Sequence, residues 1–159
     1  MAGLGLTARE GLAAAMLIGP GQVAGRLLEW MLAGRMGVLT RARIGALLFP
    51  AGALVLGFGG PAAAVIFAVL YGMSNGILTV NRGTLPMLVL GPQGYAALLG
   101  WLALPVLLAQ AAAPPVSAPL LGVLPAESVL LLAGVVAFGA ALLLLPLRLW
   151  QPPGQDRVT

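Results

Sequence analysis

The stretch LYGMSNGILTVNRGTLP, at residues 70–86, places polar side chains inside a segment that otherwise predicts a membrane helix. Asn75, Thr79 and Arg82 are spaced i, i+4 and i+7, so a helix carries all three on one face. Polar groups are costly in hydrocarbon, and in membrane helices they usually face a bundle interior or a water-filled cavity. The stretch therefore predicts a helix that lines a path for a solute.

The composition around this stretch is that of an integral membrane protein. The chain is 60% hydrophobic and 8% charged, whereas soluble domains carry about 25% charged residues. Cys and His are absent, and Asp and Glu together number four and are scattered. We therefore expect no enzymatic activity, no metal site and no cofactor. No basic run interleaves with aromatic residues, so we expect no nucleic-acid partner.

Five apolar spans are predicted, since a helix needs about 20 apolar residues to cross a bilayer. They lie near 8–32, 41–59, 61–82, 94–121 and 126–147. The expected fold is an all-α integral membrane protein with a transmembrane helical domain at 1–150 and a polar cytoplasmic tail at 151–159. The connection at 82–94 is long enough for a short interfacial helix, and four prolines predict a kink in the fourth span.

Arginine placement predicts the orientation of these spans. If the spans alternate, one side of the membrane receives six arginines, namely Arg35, Arg41, Arg43, Arg82, Arg148 and Arg157. The other side receives Arg9, Glu10 and Glu127. Cytoplasmic loops carry the excess of Lys and Arg. The N-terminus is therefore expected outside and the C-terminus in the cytoplasm, with a bacterial plasma (inner) membrane as the expected location.

The first span repeats the polar spacing of the third, because Gln22, Arg26 and Glu29 again fall at i, i+4 and i+7. Arg26 and Glu29 are close enough to pair, and Arg26 lies about 10 Å from the helix end, within reach of the interface. For these two residues an interfacial anchor or an ion pair is favoured over contact with a solute. For Gln22, cavity lining and interhelical hydrogen bonding both stay open.

The other polar positions divide by depth in the membrane. Asn75 and Thr79 are deep and are candidates for the solute path, although Asn side chains also form hydrogen bonds that join helices. Gln110 is the only deep amide of the fourth span and joins them as a candidate. Asn81 and Arg82 lie nearer the cytoplasmic end, where an anchor at the membrane interface is at least as good an interpretation as contact with a solute. Arg82 is also a candidate for attracting an anion at the mouth of the path.

Glycine pairs predict where helices approach each other. Gly21 and Gly25 in the first span, and Gly72 and Gly76 in the third, are each spaced i, i+4. Such pairs let two helix backbones come close together. The favoured interpretation of these glycines is therefore a packing face between helices, while a hinge stays open at Gly19-Pro20-Gly21, which interrupts the first span near its middle.

Three of these stretches also resemble one family. The sequences LIGPGQVAGR at 17–26, AGRMGVLTR at 33–41 and YGMSNGILTVNRGTLP at 71–86 resemble the C-terminal half of a major facilitator superfamily transporter. The resemblance makes the five spans helices eight to twelve of such a protein. It implies two six-helix halves around a central cavity that alternately opens to each side. The chain is accordingly expected to be a fragment, with a missing N-terminal half or a second copy as partner.

The sequence leaves two functions open. The first is transport of a small solute across the lipid bilayer along a path that includes Gln22, Asn75, Thr79 and Gln110. The second is a non-transporting membrane scaffold or assembly protein, or an inactive truncated fragment, in which polar faces only hold helices together. The substrate and any coupling ion are not identified by these residues.

Overall fold

The chain folds as a bundle of helices in the computed structural model, which describes residues 6–91 and 93–147. Six helices make up that part of the chain: α1 (Ala8–Met16), α2 (Ile18–Leu32), α3 (Val38–Leu56), α4 (Gly60–Leu90), α5 (Tyr95–Val123) and α6 (Ala126–Leu142). No strand occurs among the described residues, so the predicted all-α class is confirmed. The predicted tail at 151–159 and two of the counted arginines, Arg148 and Arg157, lie outside them.

Four stretches of helix are long and apolar enough to cross a membrane: Ala8–Leu32, Val38–Leu56, Gly60–Leu88 and Tyr95–Val123. They are compatible with an integral membrane protein. The fifth predicted span differs, because its helix α6 has 17 residues. At a rise of 1.5 Å per residue such a helix is about 26 Å long, shorter than the ~30 Å hydrocarbon core of a typical bilayer.

The first span consists of two helices joined at Leu17. Helix α1 begins with a capping box, in which the Thr7 backbone N–H donates to Glu10 Oε2 at 2.8 Å and the Glu10 N–H donates to Thr7 Oγ1 at 3.3 Å. Pro20 explains the break, because it has no N–H to give to the Met16 carbonyl four residues earlier. Helix α1 accordingly ends at Met16 and α2 starts at Ile18.

Helix α4 is longer than the sequence predicts. Gly59 and Gly60 adopt φ of 75° and 86°, in the left-handed region that glycine tolerates, and Pro61 follows in the first turn. The helix then continues for 31 residues and passes through Pro86. The stretch after Arg82, which has the length for a separate interfacial helix, is instead the last part of α4. The helix ends where Gly91 takes a φ of 86°.

Helix α4 is the centre of the bundle and packs against both α2 and α3, while α3 also packs against α6. The crossing of α2 and α4 is made by glycine. A Cβ built on Gly72 would lie 2.5 Å from the Ile18 carbonyl oxygen, and one built on Gly25 would lie 2.8 Å from Met73 Cα. The two glycine pairs at this crossing therefore form the predicted packing face, where backbone touches backbone.

Two arginines bind the ends of helices that the sequence places on one side of the membrane. Arg43, near the start of α3, donates to the carbonyls of Leu144, Leu145 and Leu147 just after α6, at 3.2, 2.8 and 3.2 Å. Arg41 Nη1 lies 3.4 Å from Glu29 Oε1 in the last turn of α2. The end of α2, the start of α3 and the end of α6 therefore meet at one arginine-rich end of the bundle.

Candidate functional site: a cavity between α4 and α5

A cavity of about 550 Å³ lies between α4 and α5. Its size is within the range of about 300–1,000 Å³ seen for ligand pockets. Helices α4 and α5 supply most of the wall, and α3 and the segment after α6 each add one residue. The lining residues are Ala42, Leu78, Asn81, Arg82, Gly83, Leu85, Pro86, Leu99, Leu102, Ala103, Val106, Leu107, Gln110 and Leu144.

Asn81 is the most deeply buried polar residue of this wall, with 2% of its surface exposed. Its side-chain Nδ2 donates to the Ile77 carbonyl one turn earlier, at 3.0 Å. That bond fixes the amide orientation, because the opposite assignment would set two carbonyl oxygens against each other. Asn81 Oδ1 is buried and has no hydrogen-bond partner among the described residues. A buried acceptor in this state costs about 1–3 kcal/mol, so the position has an unused capacity to accept a hydrogen bond.

Arg82 and Gln110 are the other polar side chains of the cavity, and both are exposed. Among the side chains that the structure describes, no carboxylate forms an ion pair with Arg82. Pro86 also lines the cavity, and it has no N–H to donate to the Arg82 carbonyl one turn earlier. One cationic and two amide residues thus line an otherwise apolar wall.

Helix α5 is joined to α4 by few contacts. The Tyr95 hydroxyl, in the first turn of α5, donates to the Gly83 carbonyl of α4. None of the residues of α5 is buried. The connection between the two helices includes Gly91 and Gly94, with φ of 86° and 68°. One side of the cavity is therefore formed by a helix that packs loosely against its neighbours.

The candidates for a solute path do not all meet at this cavity. Gln110 lies in its wall, whereas Gln22, Asn75 and Thr79 are not among the lining residues. Gln22 and Asn75 are half-buried, and Gln22 is beside the glycine crossing, where its backbone faces Gly76. The exposed Thr79 hydroxyl donates to the Asn75 carbonyl on its own helix, at 2.6 Å.

The ion-pair candidates are also separated by the fold. Glu29 is 5% exposed and pairs with Arg41 from α3, whereas Arg26, the partner suggested by spacing, is exposed on α2. The Arg41 guanidinium in addition donates to the Glu29 backbone carbonyl at 3.1 Å. Arg41 pairs with Glu29 because its side chain extends from the start of α3 to the buried carboxylate on α2.

Asn81 is the site residue that spacing along the chain did not single out, since it falls next to the face shared by Asn75, Thr79 and Arg82. The available signal was its residue type, because an amide within a membrane helix needs hydrogen-bond partners.

The chain was also compared with known protein families, curated proteins and solved structures, and none of them matches it.

Proposed function

We propose that this chain is part of a membrane transporter for a small solute, and that the cavity between α4 and α5 lies on the solute path. One observation carries the proposal: a cavity of about 550 Å³ with a mainly apolar wall is also lined by Asn81, Arg82 and Gln110. Ligand pockets typically combine apolar walls with a few polar groups that orient the ligand.

The position of the cavity supports this proposal. Its lining includes Ala42, which precedes Arg43 in the chain, and Leu144, whose backbone carbonyl accepts a hydrogen bond from Arg43. The cavity thus reaches the arginine-rich end, which we propose to be cytoplasmic under the positive-inside rule. The chain would then have its N-terminus outside, in the plasma membrane of a bacterium.

The weak attachment of α5 supports a path that opens and closes. Transport requires that the site face each side of the membrane in turn. A helix without buried residues has little packing to lose when it moves away from α4. The proposed partner is an N-terminal half of the major facilitator type, or a second copy of the chain, which would complete the walls of the path.

A scaffold function has its own supporting observation. Ser74 is 3% exposed and its hydroxyl donates to the Gly45 carbonyl of α3 at 2.7 Å, so this polar group joins two helices. The Glu29–Arg41 pair joins α2 and α3 in the same way. Buried atoms without a partner among the described residues occur in this pair as well, at Glu29 Oε2 and Arg41 Nε, so it is the cavity between α4 and α5 that favours transport over a scaffold.

Uptake into vesicles tests the transport proposal. The purified chain, with any partner that co-purifies, is reconstituted and offered a panel of labelled organic anions, amino acids and sugars. Ala103→Phe places an aromatic ring in the cavity, whereas Ala111→Phe makes the same change at an exposed residue of α5 that does not line it. We expect uptake of at least one solute that Ala103→Phe abolishes and Ala111→Phe retains.

Two results would contradict transport. One is the lack of uptake of every solute by a sample that is folded in the vesicles. The other is uptake that both variants retain equally, because the cavity would then lie off the path. Circular dichroism of the reconstituted samples establishes that both variants keep their helices.

A further inference from the structure

Two exposed polar residues of the cavity wall, Arg82 and Gln110, lie far apart along the cavity. Arg82 precedes Gly83, whose carbonyl accepts a hydrogen bond from Tyr95 at the start of α5. Arg82 is therefore close to the level at which α5 begins. Gln110 lies about 22 Å further along α5 than Tyr95, at a rise of 1.5 Å per residue, and it is the last residue of α5 that lines the cavity.

The wall between these two polar residues is apolar. The residues of α5 that lie before Gln110 in the lining are spaced three and four positions apart, so they form one face of the helix. They are Leu99, Leu102, Ala103, Val106 and Leu107. Leucine side chains of α4, at Leu78 and Leu85, belong to the same lining. A ligand that reaches from Arg82 to Gln110 therefore needs an apolar body.

The two polar side chains define the ends of such a ligand. A guanidinium without a carboxylate partner, such as Arg82 among the described residues, favours a carboxylate or phosphate, to which it can donate two parallel hydrogen bonds. The Gln110 amide carries no charge and offers both donors and an acceptor. It therefore matches a neutral hydrogen-bonding group, such as a hydroxyl, at the end of the ligand remote from the anion.

We propose that the cavity between α4 and α5 binds an elongated organic anion with an aliphatic body and a neutral hydrogen-bonding group at its far end. Arg82 binds the anionic group, Gln110 binds the neutral group, and the aliphatic body lies along the apolar face of α5. An ω-hydroxy fatty acid has this chemistry. As a statement about the transported solute, this inference rests on the proposed function; as a statement about binding, it is tested without any flux.

Three probes separate the contributions of the two ends. 12-Hydroxydodecanoate carries both groups, dodecanoate lacks the hydroxyl, and 1,12-dodecanediol lacks the carboxylate. Equilibrium binding to the protein in phosphatidylcholine vesicles is measured by calorimetry. Protein-free vesicles give the partition of each probe into the lipid, to which the affinities are referred. We expect saturable binding of the hydroxy acid, at least threefold weaker binding of dodecanoate and at least tenfold weaker binding of the diol.

Chain length tests whether both ends are bound at once. In a series of ω-hydroxy acids of eight to sixteen carbons, the affinity should pass through a maximum, because the hydroxyl must reach Gln110 while the carboxylate stays at Arg82. The fatty acids without a hydroxyl should show no such maximum.

Substitutions then assign these differences to residues. Gln110→Leu removes the amide, so it should reduce the preference for the best hydroxy acid over the matching fatty acid to less than twofold. Arg82→Gln should weaken binding of that hydroxy acid at least tenfold and leave the diol unaffected. The controls Gln93→Leu and Arg35→Gln make the same changes at exposed positions outside the cavity, and both should leave the affinities unchanged.

Several outcomes would overturn the inference. They are the absence of saturable binding, equal affinity for hydroxy acid and fatty acid at every chain length, and a preference that Gln110→Leu retains. A fourth is displacement of the probe by the two-chain anion phosphatidylglycerol at lower concentration, because the site would then be one for membrane lipid. Failure of binding while vesicle uptake of another solute persists would refute only the ligand class. Binding without any uptake would refute the transport function and leave the site.

Discussion

Ser74 and Asn81 lie seven residues apart on α4, about two helical turns, and both are almost fully buried. The Ser74 hydroxyl is bonded to the Gly45 carbonyl on α3. Asn81 uses only its donor, and that bond stays within its own helix. Because an unsatisfied buried acceptor is unfavourable, Asn81 carries an energetic cost that Ser74 does not.

The Glu29–Arg41 pair leads to a prediction at the residue scale. Both side chains are largely buried, at 6% and 11% exposure. Removing one partner of a buried pair leaves an uncompensated charge and costs about 3 kcal/mol or more. Glu29→Leu is therefore expected to lower the free energy of unfolding by that amount, measured by denaturation with dodecyl sulfate in mixed micelles.

The double variant Glu29→Leu, Arg41→Leu is the matched comparison, because it removes both charges. It is expected to be more stable than Glu29→Leu alone. Equal loss of stability in the single and double variants would mean that the pair adds nothing beyond the packing of each side chain.

At the scale of the elements, the crossing of α2 and α4 depends on the absence of side chains. A Cβ at Gly25 would approach Met73 Cα to 2.8 Å, whereas nothing lies within 4 Å of one at Gly19 on the same helix. Overpacking of this kind costs about 1–3 kcal/mol. Gly25→Ala is therefore predicted to destabilise the bundle by about 2 kcal/mol in the same denaturation experiment.

Gly19→Ala is the control for this prediction. Alanine favours a helix over glycine by roughly 0.5–1 kcal/mol, and the exposed position offers room for the methyl group. The control variant should be as stable as the original chain or slightly more stable. If Gly25→Ala behaved in the same way, the two helices would not be in backbone contact.

The positions of the helices can be predicted from the sequence better than the points where they end or break. Runs of apolar residues are sufficient to predict long apolar helices, and the spacing of glycines is sufficient to predict a packing face on each of α2 and α4, but not that these two faces meet. The end of α4 does not follow, because Pro86 suggests a boundary although the residues around it continue the helix. The break at Leu17 has a local cause in Pro20, but a hydropathy window of about 20 residues does not resolve it.

Less of the candidate site than of the helices can be predicted from the sequence, because the site depends on how the helices pack in the whole molecule. Helical spacing shows that Asn75, Thr79 and Arg82 share a face, but not which helix covers each part of it. In the folded chain Thr79 bonds to its own backbone, and Arg82 lines the cavity against α5. The placement of Asn81 and Gln110 in one wall depends on how α5 is positioned, which no local pattern encodes.

The arginine-rich end leads to a prediction about the whole molecule. Arg43 holds the end of α6 beside the start of α3, so both lie on the same side. If that side is cytoplasmic, a green fluorescent protein fused to the C-terminus should fluoresce in bacterial cells. Alkaline phosphatase fused at the same position should be inactive, and an active fusion would reverse the proposed orientation.

Thiol labelling shows whether the cavity between α4 and α5 is part of a path through the membrane, as we propose. The chain contains no Cys, so Gln110→Cys introduces a single thiol into the cavity wall. Leu108→Cys is the control, because Leu108 is 62% exposed on the same helix and does not line the cavity. A membrane-impermeant maleimide is applied to right-side-out and inside-out vesicles. We expect Gln110→Cys to react from both sides of the membrane and Leu108→Cys from neither. Reaction of Gln110→Cys from one side only, or no faster than the control, would contradict it.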